Sequence, residues 1–244
     1  MTTWSHTGLD GVLLDIDDTL VNTHQAFARA LVRVADRYMP HLDEVARSTL
    51  VVHWRADSNG HYHRYTAGEV DYLTQRMARA NDLHAEFGGP TLDTEEYAVW
   101  NTVFDDALDA SWAPHHDTSA FLAVLADAGL PVGTVTNANT AYQVRKLATC
   151  GIDLPVLVGV DTLGVGKPDT RVFVEGCRRL GTDPARTLYV GDELYVDAVG
   201  ARAAGLVPVW LDRPGTRRVP ITDAEIAAAD VTVAHTLADL PAVL

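Results

Sequence analysis

The chain has 244 residues, of which 47% are hydrophobic and 21% charged, and its formal charge is −14. Those proportions exclude a disordered chain and describe a globular one with room for a full core and a smaller second unit. The acidic balance argues against a nucleic-acid polymer as partner, since phosphate backbones are gripped by basic faces.

No apolar stretch approaches the roughly 20 residues that span a bilayer, and Met1–Asp10 shows no basic segment followed by an apolar run. A cytoplasmic protein with no membrane partner is therefore expected, acting on small molecules or cations, with its oligomeric state left open. The first expected element is Gly11–Asp17, a short apolar run ending in acidic residues. It fits a buried parallel strand with polar groups at its C-terminal tip. From 22 to 112 the pattern changes to helical periodicity with many aromatic residues and histidines. That interval reads as an inserted α-helical unit. Within it, His53-Trp54-Arg55 and His61-Tyr62-His63-Arg64-Tyr65 flank Asp57-Ser58-Asn59-Gly60. Arg55, Arg64 or one of these histidines is a candidate substrate contact there, against the plainer expectation that the Trp and Tyr residues build the insert's own core and the histidines lie on its surface. His115 and His116 fall where the chain returns, and a structural role is expected of both.

Beyond that point strands and helices alternate. Helix Ser119–Ala128 precedes strand Pro131–Thr136; helix Asn139–Cys150 precedes strand Pro155–Val160; helix Thr170–Leu180 precedes strand Thr187–Gly191; helix Glu193–Ala204 precedes strand Val207–Leu211. Gly129, Gly151, Gly181 and Gly205 follow the four helices as stop signals. Alternation of this kind predicts an α/β fold, a parallel sheet covered on both faces. The core comprises 1–21 and 113–244, the helical insert 22–112, with boundaries at Val21–Thr23 and Trp112–His116, where two hinge strands would let the insert act as a lid. Cys150 and Cys177 lack any metal-ligand spacing and read as reduced, buried thiols.

Four elements occur in order: Asp15-Ile16-Asp17-Asp18-Thr19, Thr136-Asn137, Lys167-Pro168, and Gly191-Asp192 followed by Asp197. Each alone is weak, because Asp and Thr favour turns and caps for local reasons. Three of them begin at expected strand tips, where ligands of parallel α/β sheets collect. Together with Val165–Asp169, Tyr189–Asp192, Asp197–Ala201 and Leu237–Pro241, they resemble the haloacid dehalogenase superfamily, phosphatase branch, over all but the insert. The resemblance implies a Rossmann-like parallel sheet core with an α-helical cap domain inserted after the first strand.

It also implies a chemistry: a Mg2+-dependent phosphate monoester hydrolase working through an aspartyl phosphate on a small phosphorylated metabolite, a nucleoside monophosphate or sugar phosphate. Asp15 would be the nucleophile and Asp17 the acid and base, while Thr136, the amide of Asn137 and Lys167 would hold the phosphoryl group. Like charges at about 4 Å repel by roughly 4 kcal/mol at an effective dielectric near 20, so such a carboxylate cluster needs a cation. Mg2+ suits oxygen donors, and the resemblance implies Asp15, the Asp17 carbonyl and Asp192 as ligands, with Asp197 acting through water or Lys167. Asp17 separates this branch from haloacid dehalogenases, whose halide leaves without a proton. A phosphomutase is the alternative, and a non-catalytic binding module a more remote one. Glu193 is expected to begin a helix rather than serve the metal, Asp18 to cap the turn after the first strand, and Asp161 to be a solvated loop residue at the rim.

Overall fold

A computed structural model describes residues 8–217 and 219–242. The chain divides into two compact units, one running to Asn22 and resuming at Pro114, the other Thr23–Ala113.

The first unit is built on six strands: β1 (Gly11–Leu14), β2 (Val132–Val135), β3 (Val156–Val158), β4 (Thr187–Gly191), β5 (Val207–Leu211) and β6 (Thr232–Ala234). All pair in parallel, in the order β3-β2-β1-β4-β5-β6. The order reverses between β1 and β4, which marks the crevice beyond their carboxyl ends as the place for a ligand. Side chains alternate across the sheet. Val12 and Leu14 pack on one face with Phe121, Leu125 and Leu147, whereas Leu13 packs on the other with Val172, Phe173 and Tyr189. The first face is covered by α6 (Thr118–Asp127) and α7 (Thr140–Thr149); the short α8 (Val160–Leu163) follows β3, and α9 (Thr170–Leu180) and α10 (Gly200–Ala203) cover the second.

The second unit is helical: α1 (Thr23–Tyr38), α2 (Glu44–Ala56), α3 (His61–Thr66), α4 (Tyr72–Phe87) and α5 (Thr94–Asp109). Its core is aromatic, with Trp100 and Phe104 stacked at 5.1 Å and Trp54 and Trp100 at 6.0 Å between ring centroids. Each such pair contributes about 0.5–1.5 kcal/mol beyond its buried area. His84 is fully buried beside them; its Nδ1 donates to the Pro90 carbonyl at 2.6 Å and its Nε2 accepts from Trp100 Nε1 at 2.9 Å. A carbonyl can only accept, so this pairing fixes the neutral tautomer. Arg64 is exposed and paired with Glu69, and Arg55, near the end of α2, is half-buried.

The structure departs from expectation in several places. Pairing in β1 stops at Leu14 rather than continuing to Asp17, because the chain turns: Asp18 sits at φ 60° and its amide donates to Val21 O. Helix α11 (Asp223–Ala229) and β6 were not anticipated. The helix expected over Glu193–Ala204 is a π-helical turn, Leu194–Val199, running into α10. Glu193 stands just before that turn in extended conformation, with no side-chain cap. Asp161 is exposed, as expected, but lies in α8 rather than a loop, and its carboxylate accepts from the Thr140 amide and hydroxyl at 2.9 and 2.6 Å at the start of α7. Both cysteines are free thiols, Cys177 buried and Cys150 half-buried.

The two points where the insert leaves and rejoins the first unit lie side by side. Val21 forms an antiparallel bridge with Pro114, and the His115 amide donates to Leu20 O at 2.9 Å. Arg213, itself buried, pairs with both oxygens of Asp117 at 2.9 Å and donates to Thr19 O, pinning this junction from below.

Candidate active site

Aligned register brings the strand tips to one level. Leu14 pairs with Val190 and Thr134, and immediately beyond, the Asp15 amide donates to Val190 O and the Thr136 amide to Val158 O, each at 2.9 Å. Asp15 therefore emerges from β1 next to Asp192 beyond β4.

Lys167 is the hub. Its ammonium donates to Asp15 Oδ1 at 2.6 Å, Asp197 Oδ1 at 2.7 Å and the Tyr189 hydroxyl at 3.1 Å, all buried. Three donors thus meet three acceptors. Tyr189 passes its own proton to Asp197 Oδ1 at 2.8 Å, and the Glu193 amide donates to Asp197 Oδ2 at 3.0 Å. The loop carrying Lys167 is held by Asn137, whose side chain donates to Lys167 O at 2.9 Å and accepts from Lys167 N at 2.6 Å. A Cβ on Gly166 would lie 2.4 Å from Asn137 Oδ1, and one on Gly191 would lie 2.3 Å from Asp197 Cγ, so neither position has room for a side chain. Asn137 spends both ends of its side chain on this loop.

The Thr136 hydroxyl accepts from Gln143 Nε2 at 3.0 Å and from the Ala138 amide at 3.3 Å, which leaves its proton to donate. Asp17 turns toward α7, accepting from Gln143 Nε2 at 2.6 Å and Lys146 Nζ at 2.5 Å. Its carboxylate is not among the Asp15, Asp192 and Asp197 oxygens that cluster within reach of one ion. Gln143, Lys146 and Tyr189 are site residues that sequence reasoning did not single out. The signal was present for two of them: Gln143, Lys146 and Leu147 share one face of α7 at helical spacing, so two polar groups occupy a stripe that packs inward. Arg55 and Arg64 belong to the helical unit and are described there.

Charge dominates the electrostatics. Burial pushes the Asp15 carboxyl up to about 7, against the pull of Lys167 and helped by like charge on Asp197 and Asp17. Burial at the base of the strand tip, with Glu193, Asp18, Asp15 and Asp197 around it, drives Asp192 well above the carboxylate range. Burial opposes the Lys167 ammonium, but Asp15 and Asp197 outweigh it and hold Lys167 well above its ordinary value. Carboxylate oxygens of Asp15, Asp192 and Asp197 lie within 4.8 Å of one another. Such a donor set, all hard oxygen and short of positive charge, fits a divalent cation of the Mg2+ type. A unit positive charge at about 4 Å would favour each anion by about 4 kcal/mol, or about 3 pH units, enough to return Asp15 to its ionised form.

Residues 9–205 match the family model of haloacid dehalogenase-like hydrolases. The glyceraldehyde 3-phosphate phosphatase of Methanopyrus kandleri is 36% identical over 207 residues, 84% of each chain. The plasmid phosphoglycolate phosphatase of Cupriavidus necator is 30% identical over 207 residues, 84% of this chain and 80% of its own. A dehalogenase of known structure superposes with a TM-score of 0.75 at 21% identity, covering 98% of this chain and 99% of its own; at that identity the likeness is one of fold. The chain belongs to the haloacid dehalogenase-like hydrolases, on the branch whose members are phosphatases. It is an enzyme, and among the described residues no helix is long and apolar enough to cross a membrane.

Proposed function

We propose that the chain hydrolyses the phosphate monoester of a small, sugar-like metabolite in two steps through Asp15. The observation that carries this reading is the contact of Lys167 Nζ with Asp15 Oδ1 at 2.6 Å beside the oxygens of Asp192 and Asp197. It is the arrangement needed to let an anionic nucleophile approach an anionic ester. Asp15 and Asp192, with the Asp17 carbonyl, would hold Mg2+, and Asp197 would support the set through Lys167. When bound, the ion supplies positive charge that offsets repulsion between the nucleophile and the phosphoryl oxygens.

In the first step a carboxylate oxygen of Asp15 bonds to phosphorus and the ester P–O bond breaks. Asp17, protonated at the start of the cycle, gives that proton to the departing alkoxide and is left as the carboxylate that accepts from Lys146 and Gln143. The Thr136 hydroxyl and the Asn137 backbone amide donate to the phosphoryl oxygens, while Lys167, whose three N–H groups are held by Asp15, Asp197 and Tyr189, adds positive charge beside them. In the second step Asp17 takes a proton from water, the water oxygen bonds to phosphorus, and the bond to Asp15 breaks, releasing inorganic phosphate.

The phosphatase relatives act, by name, on glyceraldehyde 3-phosphate and on phosphoglycolate, which favours a compact substrate over a nucleoside monophosphate. Asp17 favours phosphoryl transfer over dehalogenation, because a carboxylate poised for proton transfer has no task when halide departs. The test is a screen of phosphorylated metabolites with Mg2+, scored by inorganic phosphate, with triose phosphates, 2-phosphoglycolate, nucleoside monophosphates, hexose 1-phosphates and 2-haloacids in parallel. Phosphate release from the small esters is expected. Halide release alone, or isomerised hexose phosphate without free phosphate, would overturn the reading in favour of a dehalogenase or a phosphomutase.

A further inference from the structure

The Asp17 carboxylate is gripped at both oxygens from a single helix. Lys146 Nζ donates to Oδ1 at 2.5 Å and Gln143 Nε2 to Oδ2 at 2.6 Å. Both donors are buried, Lys146 to 1% and Gln143 to 0% exposure, while the Asp17 side chain keeps 23%. An ammonium at that depth is costly unless paired, and an apolar residue of similar volume packs a helix against a sheet at least as well. Leu147, the neighbour on the same face, does so. The folding of α7 therefore gives no reason for a lysine there, and the contact with Asp17 does.

Gln143 adds a second constraint. Its amide places one hydrogen on Asp17 and the other on Thr136 Oγ1 at 3.0 Å, while its Oε1 is buried with no hydrogen-bond partner. The opposite orientation would set that oxygen against a carboxylate. The amide thus keeps its nitrogen on the two site residues at the expense of its own carbonyl, which is the arrangement of a spacer between them. Because Lys146 and Gln143 lie one turn apart on α7, a rigid element sets the position of Asp17 relative to Thr136.

We propose that Gln143 and Lys146 are positioning residues for the proton-transfer step: they fix the rotamer of Asp17 and set its distance from the group that holds the phosphoryl oxygens. This rests on the reading of Asp17 as acid and base. Neither residue touches phosphorus. Their loss acts through Asp17, and it scales with how much the leaving group needs a proton.

The experiment compares Lys146→Met, Gln143→Met and Asp17→Asn with wild type, measuring kcat and KM on p-nitrophenyl phosphate, whose leaving group barely needs a proton, and on phenyl phosphate, whose leaving group does. Both α7 variants are expected to lose kcat on phenyl phosphate by about tenfold more than on p-nitrophenyl phosphate, following Asp17→Asn. Lys146→Met combined with Asp17→Asn is expected to cost no more than Asp17→Asn alone. Equal losses on both esters in the α7 variants, or additive losses in the double variant, overturn the proposal while leaving Asp17 as the acid. Equal losses in Asp17→Asn itself overturn both. Should Lys146→Met fail to fold, Gln143→Met, which keeps the ion pair, carries the same expectation and the same refutation.

Discussion

Replacing Lys167 by methionine keeps the stem and removes the ammonium that stands 2.6 Å from Asp15 and 2.7 Å from Asp197. A unit charge about 4 Å from a phosphoryl oxygen contributes about 4 kcal/mol at an effective dielectric near 20. If that interaction is made in the transition state, its loss slows turnover about a thousandfold. Stability falls as well. Two carboxylates buried to 6% or less lose their shared counter-charge, and breaking a buried pair costs about 3–5 kcal/mol. For a chain of this size that is roughly 10 °C in melting temperature. Phosphate release from p-nitrophenyl phosphate and a melt followed by circular dichroism read the two effects separately. Lys167→Arg restores the charge, but its planar fork does not match three acceptors disposed around one nitrogen. It is expected to recover melting temperature more than rate. A rate loss below about tenfold for the methionine variant would remove Lys167 from the phosphoryl site.

Asp15→Asn is expected to abolish phosphate release and leave the circular dichroism spectrum unchanged; near-normal turnover would end its role as nucleophile. EDTA is expected to stop turnover reversibly, with Mg2+ restoring it, and full activity in chelator would refute the need for a cation at Asp15 and Asp192. The fold is expected to weaken in mild acid through its histidines. Burial holds His84 below its ordinary value despite the Pro90 hydrogen bond, and burial with the Arg213 charge lowers His115 to about 4, with Asp18 and Asp117 opposing and His116 adding to the effect. Both stay neutral in the fold while the unfolded chain takes up protons below about 6.5, so stability declines as pH falls from there toward 4. Because burial raises the Asp15 and Asp192 carboxyls into or above this window, where they act with the opposite sign, melting temperatures are measured between pH 7 and 5 on an Asp15→Asn, Asp192→Asn double variant, and a flat profile there would refute it.

How far the sequence could be read depended on whether a signal was local. Thr187–Gly191, Val207–Leu211 and Thr170–Leu180 coincide with β4, β5 and α9, because apolar runs between glycines and caps are complete statements within a few residues. Helix α11 and β6 escaped for the opposite reason. The helix ends on Asp230 in the left-handed conformation instead of glycine, and the strand is three residues long. The π-helical turn escaped because its side-chain pattern is that of an ordinary helix, and the difference lies in backbone bonds such as Ala198 N to Glu193 O. In the site, Asp15 and Asp192 were legible as charged groups at strand tips, and Lys167 through the Val165–Asp169 run that carries the family resemblance. Gln143 and Lys146 were marked only by their place on the inward stripe of α7, which does not name a partner, since Asp17 lies 126 and 129 positions away and a lysine on a helix ordinarily reads as solvated surface. The bonds of Asp161 were hidden in the same way, its partner Thr140 being 21 positions away on another element.

The bridge between Val21 and Pro114 and the Arg213 clasp beneath it give the α/β unit a closed seam where the helical insert departs. That seam is tied directly to the turn after β1, since Asp17 bridges Val21 and the Asp18 amide donates to Val21 O, so a change of chain length there reaches the residues that carry Asp15 and Asp17.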